Sequence, residues 1–358
     1  MRTVRFENRG RGGFTATLRK NVNDYFKEQN ISTKGDWKMV LKSVVMLSFY
    51  LAPFFVILFV PVYPWMIFPL AVIAGMGMAG TGMSVMHDAA HDTFSKKRWV
   101  NKFLSWSMYL IGGNVFNWKL QHNVLHHTYT NIEGFDEDIA TKAVIRLSRH
   151  APLKRFHRFQ HFYALLLYSL MTLSKLVSDF TQLYKYNRSG LTREQNANPK
   201  MEYLKLVATK AVYLFAAIGV LMLASGISWW MILLAFLVMH STASMIMSMI
   251  FQLAHVVEGA EQPLPSEAGH MENEWTIHEL NTTMNFARGN RFLTWLIGGL
   301  NYQVEHHLFP NICHMHYRKI SPIVERTAIE FGLSYNSNPS FGKAIRSHMR
   351  MLKTLGKA

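Results

Sequence analysis

The composition of this 358-residue chain combines high hydrophobicity with a strong basic excess. Hydrophobic residues make up 49% of the sequence, and 38 Lys and Arg outweigh 22 Asp and Glu. The single cysteine, Cys313, excludes an internal disulfide and a cysteine-ligated iron–sulfur cluster. The Lys and Arg residues are concentrated in the N-terminal arm, a middle segment and the C-terminal tail. This distribution is typical of the cytoplasmic segments of a membrane protein, so no nucleic-acid partner is expected.

The N-terminal arm, residues 1–38, is expected to be cytosolic. Residues 1–13 are basic and Gly-rich, and no apolar run follows before Met39, so no cleavable signal peptide is apparent. Apolar residues recur at roughly helical spacing between positions 14 and 29. They predict a short amphipathic helix.

Two stretches, residues 43–86 and 211–257, contain no Asp, Glu, Lys or Arg. Each is too long for one crossing of a hydrocarbon core about 30 Å thick, which needs about 20 residues per helix. Each is long enough for two helices and a tight turn, and Pro or Gly and Ser mark a turn within both. The predicted fold is therefore all-α, with four transmembrane helices in two hairpins over residues 39–86 and 204–254.

The remaining residues are expected to form a cytosolic helical cap in two parts, 87–203 and 255–358, of which the second ends in a basic tail. Residues 98–118 are mixed in character and are predicted to form an interfacial helix or a buried cap helix. Residues 159–176 are apolar but short and have basic neighbours, so they are predicted to lie on the membrane rather than span it. Residues 184–200 are predicted to be a polar loop.

Three histidine clusters lie outside the uncharged stretches. They read HDAAH at residues 87–91, HNVLHH at residues 122–127 and QVEHH at residues 303–307. Histidines four apart share one face of a helix, and an even number of spans between clusters brings all three to one side of the membrane. Imidazole suits iron, zinc and copper, and this many imidazoles exceed the needs of one ion. The sequence therefore predicts a two-metal site with seven ligands: His87, His91, His122, His126, His127, His306 and His307.

Further residues are candidates to complete or orient this site. His255, at the cap end of the fourth span, is predicted as an eighth ligand. The alternative is that its ring only forms hydrogen bonds at the end of the helix. Carboxylates commonly orient metal-bound imidazoles through hydrogen bonds. The candidates for this orienting role, or for ligation itself, are Gln303, Asp88, Asp92, Asp136, Asp138, Glu305 and His278.

The motifs resemble those of the membrane fatty acid desaturases over about residues 39–317. The shared sequence motifs include HHTYTN at residues 126–131, DEDI at residues 136–139 and NYQVEHHLFP at residues 301–310. Gln303 in place of a histidine is typical of the front-end branch, which inserts a double bond between an existing one and the carboxyl end. The resemblance implies a non-haem di-iron centre held by the eight histidines. Gln303 would hold a metal, directly or through water, or would only form a hydrogen bond.

The resemblance also implies a reaction and its partners. O₂ and two electrons would introduce a cis double bond into an acyl-CoA or acyl-lipid chain. The His-Pro-Gly-Gly motif of fused cytochrome b5 domains does not occur in this sequence, so a separate ferredoxin or cytochrome b5 is the expected electron donor. The expected location is a bacterial plasma membrane, with the active site and both termini in the cytoplasm.

Large aromatic residues near the clusters are candidates to line an acyl tunnel that would hold the substrate near the metals. The alternative is a belt of aromatic residues at the membrane interface. The candidates are Trp118, Phe116, Phe286 and Trp295.

Three other functions compete with desaturation. A lipid or alkane hydroxylase would share the di-iron histidine site, although the wording of the third cluster favours a desaturase. A histidine-rich metal transporter would carry its ligands inside the spans, whereas these clusters lie outside them. A membrane zinc hydrolase would need fewer ligands and a general base within an HExxH-like pair, which the first cluster lacks.

Overall fold

The computed structural model describes residues 4–7, 13–140 and 144–357. Parts of the predicted N-terminal arm, residues 1–3 and 8–12, and the last residue of the basic tail lie outside the described residues. The first helix, α1, covers Phe14–Glu28 and confirms the predicted amphipathic helix. Its buried face packs against the C-terminal part of the chain in a small second core, through residues that recur every four positions: Phe14, Leu18, Val22 and Phe26.

The first predicted hairpin is present, and its second helix runs further toward the cap than expected. Its two helices, Trp37–Phe59 (α2) and the continuous stretch Pro64–Ala90, are long and apolar enough to cross a membrane. The second stretch consists of a 3-10 turn (Pro64–Met66), α3 (Ile67–Gly80), a π-helical segment (Thr81–Met86) and α4 (His87–Ala90). The first histidine cluster therefore begins on the last turn of a membrane span.

Glycines allow α3 to lie close to its neighbours in the bundle. A Cβ on Gly77 would overlap the backbone of Tyr50 in α2, and one on Gly75 would overlap the backbone of Met239 in the fourth span. Small residues at helix crossings are the usual means of close approach between membrane helices. The helix α3 consequently lies between α2 and the fourth span, and the stretch Pro64–Ala90 that contains it is the most buried of the four candidate spans among the described residues.

The first part of the cap begins with short helices. The range 98–118, predicted to be an interfacial or buried cap helix, is divided among three helices: α5 (Arg98–Ser105), α6 (Ser107–Leu110) and α7 (Val115–Trp118). Gly112, with a φ of 76°, turns the chain between the last two. A π-helical segment (Lys119–His126) and α8 (His127–Tyr129) then carry the second histidine cluster.

The segment predicted to lie on the membrane descends along the bundle instead. A 3-10 turn (Arg155–Phe159) leads into α9 (Gln160–Tyr168), and the chain then bends into α10 (Met171–Ser189). At the bend, Thr172 Oγ1 lies 2.8 Å from Nδ1 of His240, in the middle of the fourth span. Such a contact places the bend well below the cap.

The polar loop predicted over residues 184–200 is wrong. The helix α10 continues to Ser189 and ends at Gly190, which has a φ of 86° and thus adopts the left-handed conformation common at helix ends. A further short helix, α11, covers Leu191–Glu194.

The second predicted hairpin is also present. Its first helical stretch, Pro199–Ala224, consists of α12 (Pro199–Leu214), a π-helical segment (Phe215–Gly219) and α13 (Val220–Ala224). The second is α14 (Trp229–His255), which places the predicted eighth ligand on the last residue of the fourth span. Within the described residues, these two stretches and those of the first hairpin are the four that could cross a membrane.

The second part of the cap holds the remaining helices: α15 (Trp275–Thr282), α16 (Arg291–Leu296), α17 (Gln303–Leu308), the 3-10 turn His314–His316, α18 (Tyr317–Glu330) and α19 (Phe341–Leu355). Two parallel strand pairs, each two residues long, add to the cap. Their members are β1 (Arg5–Phe6) with β2 (His270–Met271), and β3 (Asn285–Phe286) with β4 (Ser337–Asn338). The architecture otherwise confirms the predicted helical membrane protein.

Candidate metal centre

The eight predicted histidines meet in one cluster between the cap ends of the spans and the cap. His87 lies on the last turn of the second span, His91 follows it, and His255 ends the fourth span. The other rings come from the second cluster and from α17. Seven of the eight side chains are buried, and His91 is half-buried. The cluster is therefore largely shielded from water.

The π-helical segment Lys119–His126 determines the geometry of the second cluster. Because a π-helix bonds residues five apart, it brings His127 into line with His122. Their Nε2 atoms are 3.2 Å apart, and His122 Nε2 also lies 3.2 Å from Nε2 of His87. The four-residue spacing assumed from the sequence pairs His122 with His126 and misses this contact.

The ring nitrogens fall into groups whose ligand atoms all lie within 4.8 Å of one another. The first group draws on all three clusters and comprises His87, His91, His122 and His306. The second comprises His126, His255 and His307. His127 lies between the two, within the same limit of His306 and His307. Two adjacent groups of this kind are what a two-metal site requires.

Many buried ring nitrogens in these groups lack a hydrogen-bond partner among the described residues. They include Nε2 of His126, His306 and His307 and both ring nitrogens of His255. A buried polar atom left unpaired costs about 1–3 kcal/mol, so this concentration requires a shared partner. Imidazole nitrogens are suitable ligands for iron, and the residues present therefore fit a pair of iron ions.

Carboxylates from the predicted acidic run hold the second cluster. His126 Nδ1 lies 3.1 Å from both carboxylate oxygens of Asp136 and 3.4 Å from Asp138 Oδ2. Asp136 also accepts a hydrogen bond from the backbone N–H of Asn131 at 2.8 Å. With Nδ1 of His126 bound to a carboxylate, Nε2 is the nitrogen left for a metal.

The protonation of the rings follows from burial and from these neighbours. Burial lowers the pKa of His126, but the charge and hydrogen bond of Asp136 outweigh it and raise the pKa to about 9. Burial, followed by the charges of neighbouring imidazoles, holds the pKa of five other rings well below its ordinary value: those of His91, His122, His127, His306 and His307. These five are neutral at pH 7, which is the form that binds metal.

Glu279 is an orienting carboxylate that no motif in the sequence indicates. Its Oε2 lies 2.7 Å from Nδ1 of His307 and accepts a hydrogen bond of 2.8 Å from Thr130 Oγ1. The neighbouring His278, which was selected from the sequence, instead places Nε2 2.9 Å from the carbonyl oxygen of Thr130. Which of the two neighbours reaches the cluster depends on the rotation of α15, and no motif specifies that rotation.

Three other predicted residues have different surroundings. Glu305 accepts hydrogen bonds from Asn285 Nδ2 at 2.9 Å and from the Tyr335 hydroxyl at 2.6 Å, so its carboxylate serves the cap rather than a histidine ring. Asp92 is exposed at the rim of a cleft of about 260 Å³ that His91 also lines. Gln303 is buried, and its Oε1 has no hydrogen-bond partner among the described residues.

Asp88 belongs to a buried chain of polar groups beside the first cluster. Its Oδ2 lies 2.8 Å from Nδ1 of His314, and Nε2 of the same ring lies 3.0 Å from the Lys42 ammonium. The other carboxylate oxygen lies 3.6 Å from Nδ1 of His87. This chain links the first span, the first cluster and the segment that follows the third cluster.

Of the four aromatic residues predicted to line a tunnel, Trp118 lies against the cluster. Its ring stacks on His122 with centroids 4.5 Å apart and lies 5.7 Å from the ring of His87. The other three lie elsewhere: Phe116 packs among apolar residues near Leu120, Phe286 is buried against Phe341, and Trp295 is partly exposed beside Lys42.

Comparison with known proteins agrees with this geometry. The family model described as fatty acid desaturase matches residues 63–339. An sn-1 linoleoyl-lipid 6-desaturase of Synechocystis sp. is 35% identical over 353 residues, which cover 97% of this chain and 96% of the relative. The protein of the same description from Arthrospira platensis is 33% identical over 343 residues, covering 96% and 92%.

A more distant relative extends the match beyond cyanobacteria. An acyl-lipid (8-3)-desaturase of Physcomitrium patens is 32% identical over 348 residues, which cover 96% of this chain and 72% of the relative. These relatives span the four membrane helices and all three histidine clusters, and the family model covers the last three of those helices and the same clusters. The chain therefore belongs to the fatty acid desaturase family and is an oxidoreductase that desaturates fatty acyl chains.

Proposed function

We propose that this chain uses two iron ions to insert a double bond into an acyl chain carried on a lipid, on the carboxyl side of an existing double bond. The observation that carries the proposal is the pair of adjacent groups of buried imidazoles with unpaired nitrogens. The relatives that act on linoleoyl-lipid at position 6 favour that substrate and position for this chain. Gln303 also favours this position, because a glutamine at the start of the third histidine cluster is typical of front-end desaturases.

The two iron ions would take their ligands from the two groups of rings. One would be held by His87, His91, His122 and His306, and the other by His126, His255 and His307. His127, between the groups, and Gln303, with its unpaired buried oxygen, would complete the set. Iron would supply the activation of O₂ that removal of hydrogen from an unactivated methylene requires.

The chain's own residues would hold this site in shape. Asp136 and Glu279 bind Nδ1 of His126 and His307, and the Tyr317 hydroxyl lies 3.2 Å from Nδ1 of His306. Each ring then keeps its orientation and presents Nε2 to the metal. Trp118, stacked on His122, would form a wall of the acyl site and exclude water from the reacting methylenes.

The membrane orientation and the electron donor belong to the same proposal. Lys and Arg are concentrated in the segments that form the cap, which favours a cytoplasmic cap in a bacterial plasma membrane. The reaction consumes two electrons, and we propose that a separate ferredoxin or cytochrome b5 delivers them.

The direct test is expression in a host of known lipid composition supplied with linoleate and a ferredoxin system. Double bonds are then located by mass spectrometry of the intact lipids, which also reports the carrier. We expect a new double bond at position 6 of lipid-bound linoleoyl chains. The product should be absent from a His306→Ala variant and present in a His270→Ala control, because His270 is exposed and outside the cluster.

Three other outcomes would each contradict a different part of the proposal. A hydroxylated chain would contradict desaturation while leaving the metal site in place. A double bond formed on acyl-CoA before lipid transfer would contradict the lipid-bound substrate. Purified protein with fewer than two irons per chain, together with full activity, would contradict the di-iron site.

A further inference from the structure

Two segments without any acidic residue pack against each other at the cap end of the bundle. Residues 139–178 and 331–358 contain no Asp or Glu. Gln160 Nε2 at the start of α9 donates a hydrogen bond of 2.7 Å to the carbonyl oxygen of Leu352 in α19. Segments almost 200 positions apart are therefore joined into one surface.

This surface carries a cluster of exposed cations, which we call the basic platform: Lys154, Arg155, Arg158, Lys353 and Lys357. Lys353 and Lys357 lie close to the start of α9, because a Cβ on Gly356, which is next to Lys357, would overlap the carbonyl oxygen of His157. Arg350 is not included, because it forms an ion pair with Glu258 at 2.6 Å. The platform is thus a local concentration of positive charge rather than a share of the overall excess.

Large apolar side chains lie among the platform cations in the 3-10 turn and continue beyond them along α9. Phe156, Phe159 and Phe162 are 45%, 50% and 74% exposed, and Leu166 and Leu170 after them are 66% and 41% exposed. Cations with aromatic rings come first and leucines follow, which matches the order of headgroup, interface and hydrocarbon in a bilayer. A surface made for water would not expose this series.

The position of the platform relative to the spans agrees with this order. His348 Nδ1 lies 2.7 Å from the carbonyl oxygen of Val256, so α19 is level with the cap end of α14. The bend after α9 touches His240, which is 15 residues from His255. At about 1.5 Å per residue this is about 22 Å, most of the way through a hydrocarbon core about 30 Å thick.

We propose that the basic platform binds the anionic headgroups of phospholipids in the cap-side leaflet while α9 and the start of α10 insert into the bilayer as a re-entrant pair. This binding site is separate from the metal centre and goes beyond the desaturation reaction. Each Lys or Arg near an anionic membrane surface strengthens binding about fivefold. Charge and exposed phenylalanines together favour a lipid surface over any soluble polyanion.

The test uses the full chain in detergent micelles containing equal amounts of phosphatidylglycerol and phosphatidylcholine, with retained lipids counted by native mass spectrometry. The wild type should retain phosphatidylglycerol preferentially. The variant Lys154→Glu, Arg158→Glu, Lys353→Glu should retain it at least about tenfold less well. A matched control, Arg19→Glu, Lys20→Glu, Lys27→Glu on the exposed face of α1, has the same charge change and should keep the preference.

A second readout needs no variant and covers the case in which the charge reversals prevent folding. Raising the salt concentration from 0.05 to 0.5 M should release phosphatidylglycerol from the wild type and leave phosphatidylcholine unchanged, because salt screens exposed charges. Equal retention of the two lipids by the wild type would overturn the proposal. So would an equal loss in the platform and control variants. Because neither readout involves catalysis, either result leaves the proposed desaturation untouched.

Discussion

At the scale of single residues, the proposed metal centre depends on groups that bind the far side of three of its imidazoles. His126, His306 and His307 have Nδ1 beside a carboxylate or a hydroxyl, and their Nε2 atoms lack a partner among the described residues. The histidines themselves are evident from their spacing. The role of Glu279 is not evident from the sequence, because it depends on a contact with His307, 28 positions later. A lone glutamate on a helix forms no recognisable motif.

We expect Glu279→Gln to weaken iron binding by about 10- to 100-fold, because loss of a carboxylate behind a metal-bound imidazole has effects of this size. Iron retained after dialysis against a chelator measures the change. Glu261→Gln, at an exposed glutamate, is the matched control and should retain iron like the wild type. Equal iron retention by the Glu279 variant and its control would show that this carboxylate does not support the site.

The buried chain of Lys42, His314 and Asp88 gives a second prediction. His314→Leu would leave a buried ammonium and a buried carboxylate without their shared partner, at a cost of roughly 3 kcal/mol. Thermal unfolding of the purified protein should begin at a clearly lower temperature. His316→Leu is the control, since that half-buried ring packs against Phe26 and its one polar contact among the described residues, at 3.4 Å, is with a backbone oxygen rather than with a charged group. A melting temperature equal to that of the control would contradict a structural role for the chain.

At the scale of helices, the positions of hydrophobic spans and of the amphipathic α1 follow from local patterns. Hydropathy over about 20 residues locates the four spans. The π-helical segments before and within the histidine clusters do not follow from such patterns. A window of hydropathy values looks almost the same for an α-helix, with about 3.6 residues per turn, and for a π-helix, whose turn is slightly wider. The contact between His122 and His127 therefore required the structure.

Helix packing in the bundle depends on Gly77. Its replacement by alanine would force α3 away from the backbone of α2, since the added Cβ overlaps Tyr50. We expect Gly77→Ala to lower the melting temperature and the yield of iron-loaded protein. Gly342→Ala, in the first turn of α19 where a Cβ meets nothing within 4 Å, should be neutral or slightly stabilising. Similar behaviour of the two variants would refute the close packing of α2 and α3.

At the scale of the whole molecule, buried neutral histidines make the fold sensitive to acid. His348 joins α19 to α9 and to the end of α14, with Nε2 2.9 Å from the Tyr168 hydroxyl and Nδ1 2.7 Å from the Val256 carbonyl oxygen. Burial lowers its pKa to about 4 from the ordinary 6.5. The unfolded chain therefore binds more protons than the folded chain between these values, and stability falls as the pH falls through this range.

For His348 alone, the loss of stability between pH 7 and pH 5 is about 2 kcal/mol. We expect His348→Gln to be less stable than the wild type at pH 7 and to lose less stability on acidification to pH 5. Thermal melts at the two pH values measure the difference. His270→Gln, at an exposed ring, should keep the wild-type dependence. If the His348→Gln variant lost as much stability between pH 7 and pH 5 as the wild type does, the pH dependence would not come from protonation of His348 on unfolding.

The sequence by itself determined the four spans, the identity of the histidines and the resemblance to a desaturase, because these depend on hydropathy and spacing within short windows. Tertiary structure decided the grouping of the ring nitrogens, the role of Glu279 and the descent of α9 and α10 to His240. It also brought the platform residues before α9 together with those in and after α19. All of these are contacts between residues far apart in the chain, and they form because packing and the burial of polar groups select one arrangement of helices that local patterns leave open.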